Sequence, residues 1–194
     1  MAIVVSLFAT ALLAGLGLSL VLLGSAESTL AAHDVQARAG VHAAHAVMSL
    51  AESELRAMPV WTGVLAPGAP DRCATPGRFL DASLLPPAPW DGSPIDLHAL
   101  TVKRQADSDT AAPPGVAPPV WRLFEYGPIS RLVPSDSRRH PFYLVVWAAD
   151  GREGTVRLHA AALGPAGVVL RLEGSVTRLP DGTSFRRLAI RAAP

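Results

Sequence analysis

Residues 1 to 24 carry no charged side chain, and no proline interrupts the chain before Pro59. The opening run, Met-Ala-Ile-Val-Val-Ser-Leu-Phe-Ala-Thr-Ala-Leu-Leu-Ala-Gly-Leu-Gly-Leu-Ser-Leu-Val-Leu-Leu-Gly, meets its first charge at Glu27. At the α-helical rise, about 20 residues cross the roughly 30 Å hydrocarbon core of a bilayer, so this run is long enough to span one. Proline removes a helical hydrogen bond and clashes with the preceding turn, so one helix can run from the start of the chain to residue 58, about 85 Å at the standard rise. Half of such a helix is lipid-compatible and half is not.

From Glu27 to Arg56 the pattern becomes mixed. Leu30, Ala37, Val41, Ala44, Met48, Ala51 and Leu55 recur at spacings of three and four, which predicts one apolar face. Leu30, Val41, Met48 and Leu55 are its larger members and the expected helix–sheet packing residues. Glu27, Arg38, His42, His45, Glu52 and Arg56 fall mostly elsewhere. Gly40 weakens such a helix by about 1 kcal/mol relative to alanine.

Pro59 ends the helical stretch, because the residue before a proline is pushed out of the α region. Residues 59–119 hold 12 of the 18 prolines, a density that argues against long helices and central strands there. Trp61, Val64, Leu65, Phe79, Leu80, Leu84, Leu85 and Trp90 are apolar enough to pack locally. Gln105 to Pro114 has no large apolar residue and is expected to be the least structured part.

The remainder reads as β. Val120–Tyr126, Phe142–Ala148, Thr155–Ala160, Val168–Arg178 and Ser184–Arg191 are apolar or alternating runs separated by glycine-containing turns, the pattern of antiparallel hairpins. A sheet with an apolar face needs a cover, and the helix over 26–58 is the expected one. The expected organisation is therefore a membrane or filament stem over 1–25 and an amphipathic shaft over 26–58. A Pro-rich connection over 59–119 and an antiparallel sheet domain over 120–194 complete it. The fold class is α+β.

Chemistry is harder to find. The net charge of +1 argues against a nucleic-acid binder, which concentrates basic surface. Cys73 is the only cysteine, so an intrachain disulfide and a cysteine metal site are excluded. His42 and His45 have a spacing that can put two imidazoles on one metal, but no further ligand pattern accompanies them, and a solvated helix face is the simpler reading. His33 and His159 read as surface residues. Trp121, Tyr126, Phe142, Tyr143 and Trp147 read as core aromatics. No nucleophile elbow, phosphate loop or dinucleotide fingerprint is present. The reading is of a non-enzyme with no cofactor, no metal and no catalytic residue.

The organisation resembles type IV pilins and secretion pseudopilins, and more narrowly the minor pilins with a PilX N-terminal domain. The resemblance rests on several pieces of sequence. They are the uncharged opening Met1-Ala-Ile-Val-Val, the segment Gly24-Ser-Ala-Glu-Ser-Thr29, and the helix His42-Ala-Ala-His-Ala-Val-Met-Ser-Leu-Ala-Glu-Ser-Glu-Leu-Arg56. Met58-Pro-Val-Trp61 looks like the family's helix-ending Pro-x-Trp. Trp121–Ser130, Phe142–Asp150 and Leu163-Gly-Pro-Ala-Gly167 resemble the C-terminal part of some members.

The resemblance implies a pilin-like fold, a long N-terminal helix packed on an antiparallel sheet. It implies processing by a prepilin peptidase, with the mature end expected at or near Met1, followed by N-methylation. Leu7, Phe8, Leu12, Leu13, Leu16, Leu20 and Leu23 become the membrane and filament packing residues. Major pilins carry an acid at the fifth mature position that pairs with a neighbour's amine; here that position is Val5, as in certain minor pilins and tip pseudopilins. The implied function is a minor subunit that initiates, primes or caps a type IV pilus. Its implied partners are other minor and major pilins, the inner-membrane assembly platform and membrane lipid, with no nucleic acid. The implied location is the inner membrane, single-pass with 26–194 periplasmic, and then the pilus. A minor pseudopilin of a type II secretion system is the alternative within the class. A membrane-tethered periplasmic hydrolase or binding domain, or a secreted protein with residues 1 to 26 as its signal peptide, are the alternatives outside it.

Overall fold

The structure, a computed structural model, describes residues 1–58, Trp61, 85–131, 141–151, 154–178 and 185–192, the last stretch by its backbone. The chain divides into two compact units, 1–38 and 39–194. Helix α1 is Ala2–Ala57. Its residues as far as Val35 are all exposed in the first unit.

In the second unit the rest of α1 covers one face of a sheet. The buried positions are Gly40, Ala43, Ala44, Val47, Met48, Ala51, Glu52 and Leu55. They form two rows that each advance by four residues, Gly40-Ala44-Met48-Glu52 and Ala43-Val47-Ala51-Leu55, a repeat slightly longer than one helical turn, so the buried stripe drifts around the helix. That drift corrects two sequence expectations. At the Gly40 end the stripe is turned away from Val41, which is 40% exposed. At the Leu55 end it takes in Glu52, a carboxylate expected on the polar side and here 3% exposed. Leu30 is also corrected: it is 69% exposed and lies outside the core. Met48 and Leu55 are fully buried among sheet residues.

Gly40 is a packing position as well as a helix-weakening one. A Cβ there would collide with the Leu170 side chain and stand 3.1 Å from Phe142 Cε1. Gly40→Leu is therefore expected to lower the thermal midpoint of tryptophan fluorescence by about 3–10 °C, the usual effect of overpacking. An unchanged midpoint would mean that Leu170 yields freely.

The end of α1 is held by two donors. The indole N–H of buried Trp61 donates to the Leu55 carbonyl at 2.7 Å, and Arg178 Nη2 donates to the Met58 carbonyl at 3.2 Å. Terminal carbonyls of a helix have no partner within it, and a cation there also complements the helix dipole.

The sheet has five strands in sequential order: β1 (Arg122–Pro128), β2 (Tyr143–Asp150), β3 (Thr155–Leu163), β4 (Val169–Arg178) and β5 (Phe185–Ala192). All neighbours are antiparallel, so the sheet is a meander. The turns on either side of β3 fall at the expected glycines. Gly151 N–H donates to Thr155 O at 2.8 Å before β3, with Gly154 at φ 71°, a backbone angle that suits glycine. Between β3 and β4 a 3₁₀ turn over Pro165–Gly167 ends with Gly167 at φ 75°. Alternation then sorts the strands. Leu144, Val146 and Ala148 of β2, with Leu158 and Ala160 of β3, face α1.

The opposite face has a second cover that the sequence reading did not anticipate. Helix α2 (Leu97–Ala111) extends into the stretch expected to be least structured, Gln105 to Pro114, and takes in its residues as far as Ala111. The stretch from Ile95 to Ala112 is free of proline, although its flanks are not. Asp96 caps the helix by accepting the Ala99 N–H at 2.8 Å, and Pro113 follows its end. Leu97 is fully buried and Leu100 packs beside it, against Tyr143, Val145 and Trp147 of β2 and Trp121, Leu123 and Tyr126 near β1. Trp90 joins this cluster, whereas Leu85 is 55% exposed. Val64, Leu65, Phe79, Leu80 and Leu84 lie outside the described residues.

Candidate functional site

The first unit offers an apolar surface. Every large side chain of the opening run is exposed, including Leu7, Phe8, Leu12, Leu13, Leu16, Leu20 and Leu23, as is Met1. Among the described residues one helix, α1, is long and apolar enough to cross a membrane, and its most apolar window has a mean hydropathy of 2.3 with none of it buried. Exposed apolar area on this scale marks a surface that meets lipid or other protein.

The polar atoms of this segment are already accounted for. Ser6 Oγ donates to Ile3 O at 2.9 Å, Thr10 Oγ1 to Ser6 O at 3.0 Å and Ser19 Oγ to Gly15 O at 2.9 Å. Beyond the first turn, backbone groups are satisfied within the helix, and these hydroxyls are satisfied by the backbone, as an apolar solvent demands. Gly15 and Gly17 have nothing within 4 Å of where a Cβ would stand. With Ala9, Ala11 and Ala14 they leave low points in the surface where another helix can approach closely.

In the second unit the chemistry lies on the α2 side of the sheet. Register brings Leu123, Trp147, His159 and Glu173 into one row across β1 to β4. His159, expected at the surface, is 2% exposed, because its strand neighbour Trp147 and nearby Trp121 close over it with ring centroids 5.6 and 6.0 Å away. Burial pushes its pKa down, opposed by its contact with Glu173. The neutral ring donates from Nδ1 to Glu173 Oε1 across 3.3 Å. The same oxygen accepts from Arg104 Nη2 of α2 at 2.6 Å. Burial also lowers the Arg104 pKa, although Glu173 opposes that shift and the guanidinium remains charged.

Further hydrogen bonds fix α2 to the sheet. Trp147 donates its indole N–H to Thr101 Oγ1 at 2.9 Å, and Gln105 Oε1 accepts the Trp121 backbone N–H at 2.9 Å. Arg104 lies over the Trp121 ring, 4.3 Å from its centroid, and Arg157 approaches the same ring at 5.9 Å. None of these partnerships is local in sequence, so only the β3–β4 register, once drawn, could have paired His159 with Glu173.

Sequence-derived residues thus fall in two places. Those of the stem share the exposed surface of the first unit, and Met48 and Leu55 share the core of the second. His42 and His45 are exposed, and among the described residues no group of three or more metal-ligating side chains gathers. Cys73 lies outside the described residues. The expected core aromatics Trp121, Tyr126, Phe142, Tyr143 and Trp147 are all buried. The long apolar helix and the antiparallel sheet define an α+β protein with, among the described residues, one segment long and apolar enough to cross a bilayer. No protein family, curated protein or solved structure matches the chain.

Proposed function

We propose that this chain is a minor, pilin-like subunit that helps to initiate or cap a type IV pilus or a related filament. Residues 1–25 anchor it in the inner membrane before assembly and are buried among neighbouring stems afterwards. Residues 26–194 lie on the periplasmic side. Its work is assembly rather than catalysis. The partners in this reading are other minor and major pilins, the assembly platform and membrane lipid.

The observation that carries the proposal is the exposed, uncharged start of α1, with its hydroxyls satisfied internally. Such a surface is equally at home in lipid and in a bundle of apolar helices, so moving from one to the other is close to neutral in free energy. The resemblance of Met58-Pro-Val-Trp61 to the pilin helix end adds to this, and here Trp61 does pack at that end.

Mass spectrometry of membrane and sheared-filament fractions tests the proposal. The expected species retains residues 2–26 and is found in the filament fraction in small amounts relative to the main subunit. A mature chain beginning at Glu27 would mean a cleaved signal peptide and would sink the reading.

A further inference from the structure

We propose that the second unit carries a binding site for an oxyanion, a ligand bearing carboxylate or phosphate groups, in the groove between α2 and the β3–β4 face. This goes beyond the filament reading and does not depend on it. The groove has a volume of about 1060 Å³. One wall is α2, with Lys103, Arg104 and Asp107, and another is the segment from Pro113 to Val120. Its floor is the polar end of the sheet face, where Arg157 of β3 and Arg171 and Glu173 of β4 project, with Arg122 of β1 at the side.

Charge and hydrogen-bonding capacity both point to an anion. Five cationic side chains line the groove against the carboxylates of Asp107, Asp150 and Glu173. The Glu173 Oε1 atom already serves two donors, Arg104 and His159. Arg157 is half-buried and makes no ion pair among the described residues, and Lys103 is exposed. The Nε of Arg104, a groove residue, is buried with no acceptor among the described residues, as is the indole N–H of Trp121, the ring on which Arg104 lies. Buried donors without acceptors are rare and costly, and a donor surplus beside an open cavity is what an acceptor-only ligand would satisfy. Guanidinium groups present planar donor pairs that match carboxylate and phosphate oxygens, and an arginine held against an indole face needs little further ordering.

The alternative for such a surface is a solvated charged face. Two features separate the groove from that case. Arg104 and Arg157 converge on one ring instead of spreading apart, although like charges repel. The unsatisfied donors are buried rather than exposed.

Isothermal titration of the full chain in an uncharged detergent tests the site, with citrate in one arm and pyrophosphate in the other, each against sodium chloride at matched ionic strength. Saturable binding of at least one anion is expected, together with a shift of the Trp121 indole ¹⁵N–¹H resonance. A response to citrate alone assigns the site to carboxylates, and a response to pyrophosphate alone assigns it to phosphoryl groups. Arg157→Gln should weaken binding about tenfold or more, the loss of one charge-assisted contact, with the unliganded thermal midpoint unchanged. If Arg157→Gln does not fold, Lys103→Glu at its exposed position decides instead, and should weaken binding while leaving the midpoint alone. Absence of saturable heat in both arms, or affinity indifferent to these substitutions, overturns the proposal.

Discussion

Met48→Asp should unfold residues 39–194. Met48 is fully buried where α1 meets the sheet, in one cluster with Leu144, Val146 and Leu158. Two costs add at this position. Removing a buried methionine side chain sacrifices about 2–5 kcal/mol of packing and transfer free energy. Placing a carboxylate there without a partner costs several kcal/mol more, either as a desolvated charge or as a proton taken up against its ordinary pKa. The total stability of a domain is about 5–15 kcal/mol, so this one change is comparable to all of it. Loss of near-ultraviolet circular dichroism and rapid proteolysis of the variant in detergent would report it. Val41→Asp, about two turns earlier on a half-open flank, should retain both signals, as should Leu30→Asp. If Met48→Asp is as resistant as these two, α1 does not form a core with the sheet.

The contrast between Met48 and Val41 shows where sequence reading succeeds. Spacing alone places Ala44, Met48, Ala51 and Leu55 on a common face, because each is within a few tens of degrees of the next turn's equivalent. It does not reveal that the face drifts, since the drift follows from how the helix crosses the sheet. Val41 and Glu52, at opposite ends of the stripe, are the residues on which the two accounts part. Gly40 is similar. In sequence it is a weak helix former; in the fold it is the place where the helix comes close enough to touch Leu170 and Phe142. The strands were legible because glycine turns separate short apolar runs, and a meander needs no long-range choice of order.

Helix α2 was hidden by averaging. Proline density over 59–119 describes the flanks of Leu97–Ala111, not the helix itself, whose start is signalled by Asp96 and whose stop is Pro113. Its few apolar residues gave no periodic stripe. It is held instead by Leu97 and by polar contacts from Thr101, Arg104 and Gln105 to partners far away in sequence. Sequence periodicity is blind to such contacts. For the same reason His159 looked like a surface residue: alternation gives its side of the strand, but that side is solvent only if no second layer covers it. The candidate groove has the same origin, because its cations come from α2, β1, β3 and β4 and meet only in the folded unit.

Leu13→Asp should block filament incorporation while leaving the second unit intact. Leu13 sits in the uncharged run, exposed, with the first charge of the sequence at Glu27. An aspartate at the centre of a membrane span costs about 3 kcal/mol on insertion scales, and the rest of the run is apolar enough to keep the helix inserted. In lipid, the carboxylate can draw water and headgroups towards it. Among packed stems that relief is lost, and every neighbour is apolar, so the penalty falls on the assembled state. Because transfer between lipid and bundle is otherwise nearly neutral, loss of that relief, on the order of 3 kcal/mol or more, lowers incorporation by roughly 100-fold or more. The core of the second unit begins at Gly40 and Ala43 and contains nothing from the stem, so the thermal midpoint of its tryptophan fluorescence should not move. Leu13→Ala, which changes size without adding charge, should incorporate nearly as well as the parent. The readouts are the count of surface filaments and the amount of this chain within them, at matched expression. Normal incorporation of a stably produced Leu13→Asp chain would reduce the start of α1 to a simple anchor and remove the main support for the filament reading.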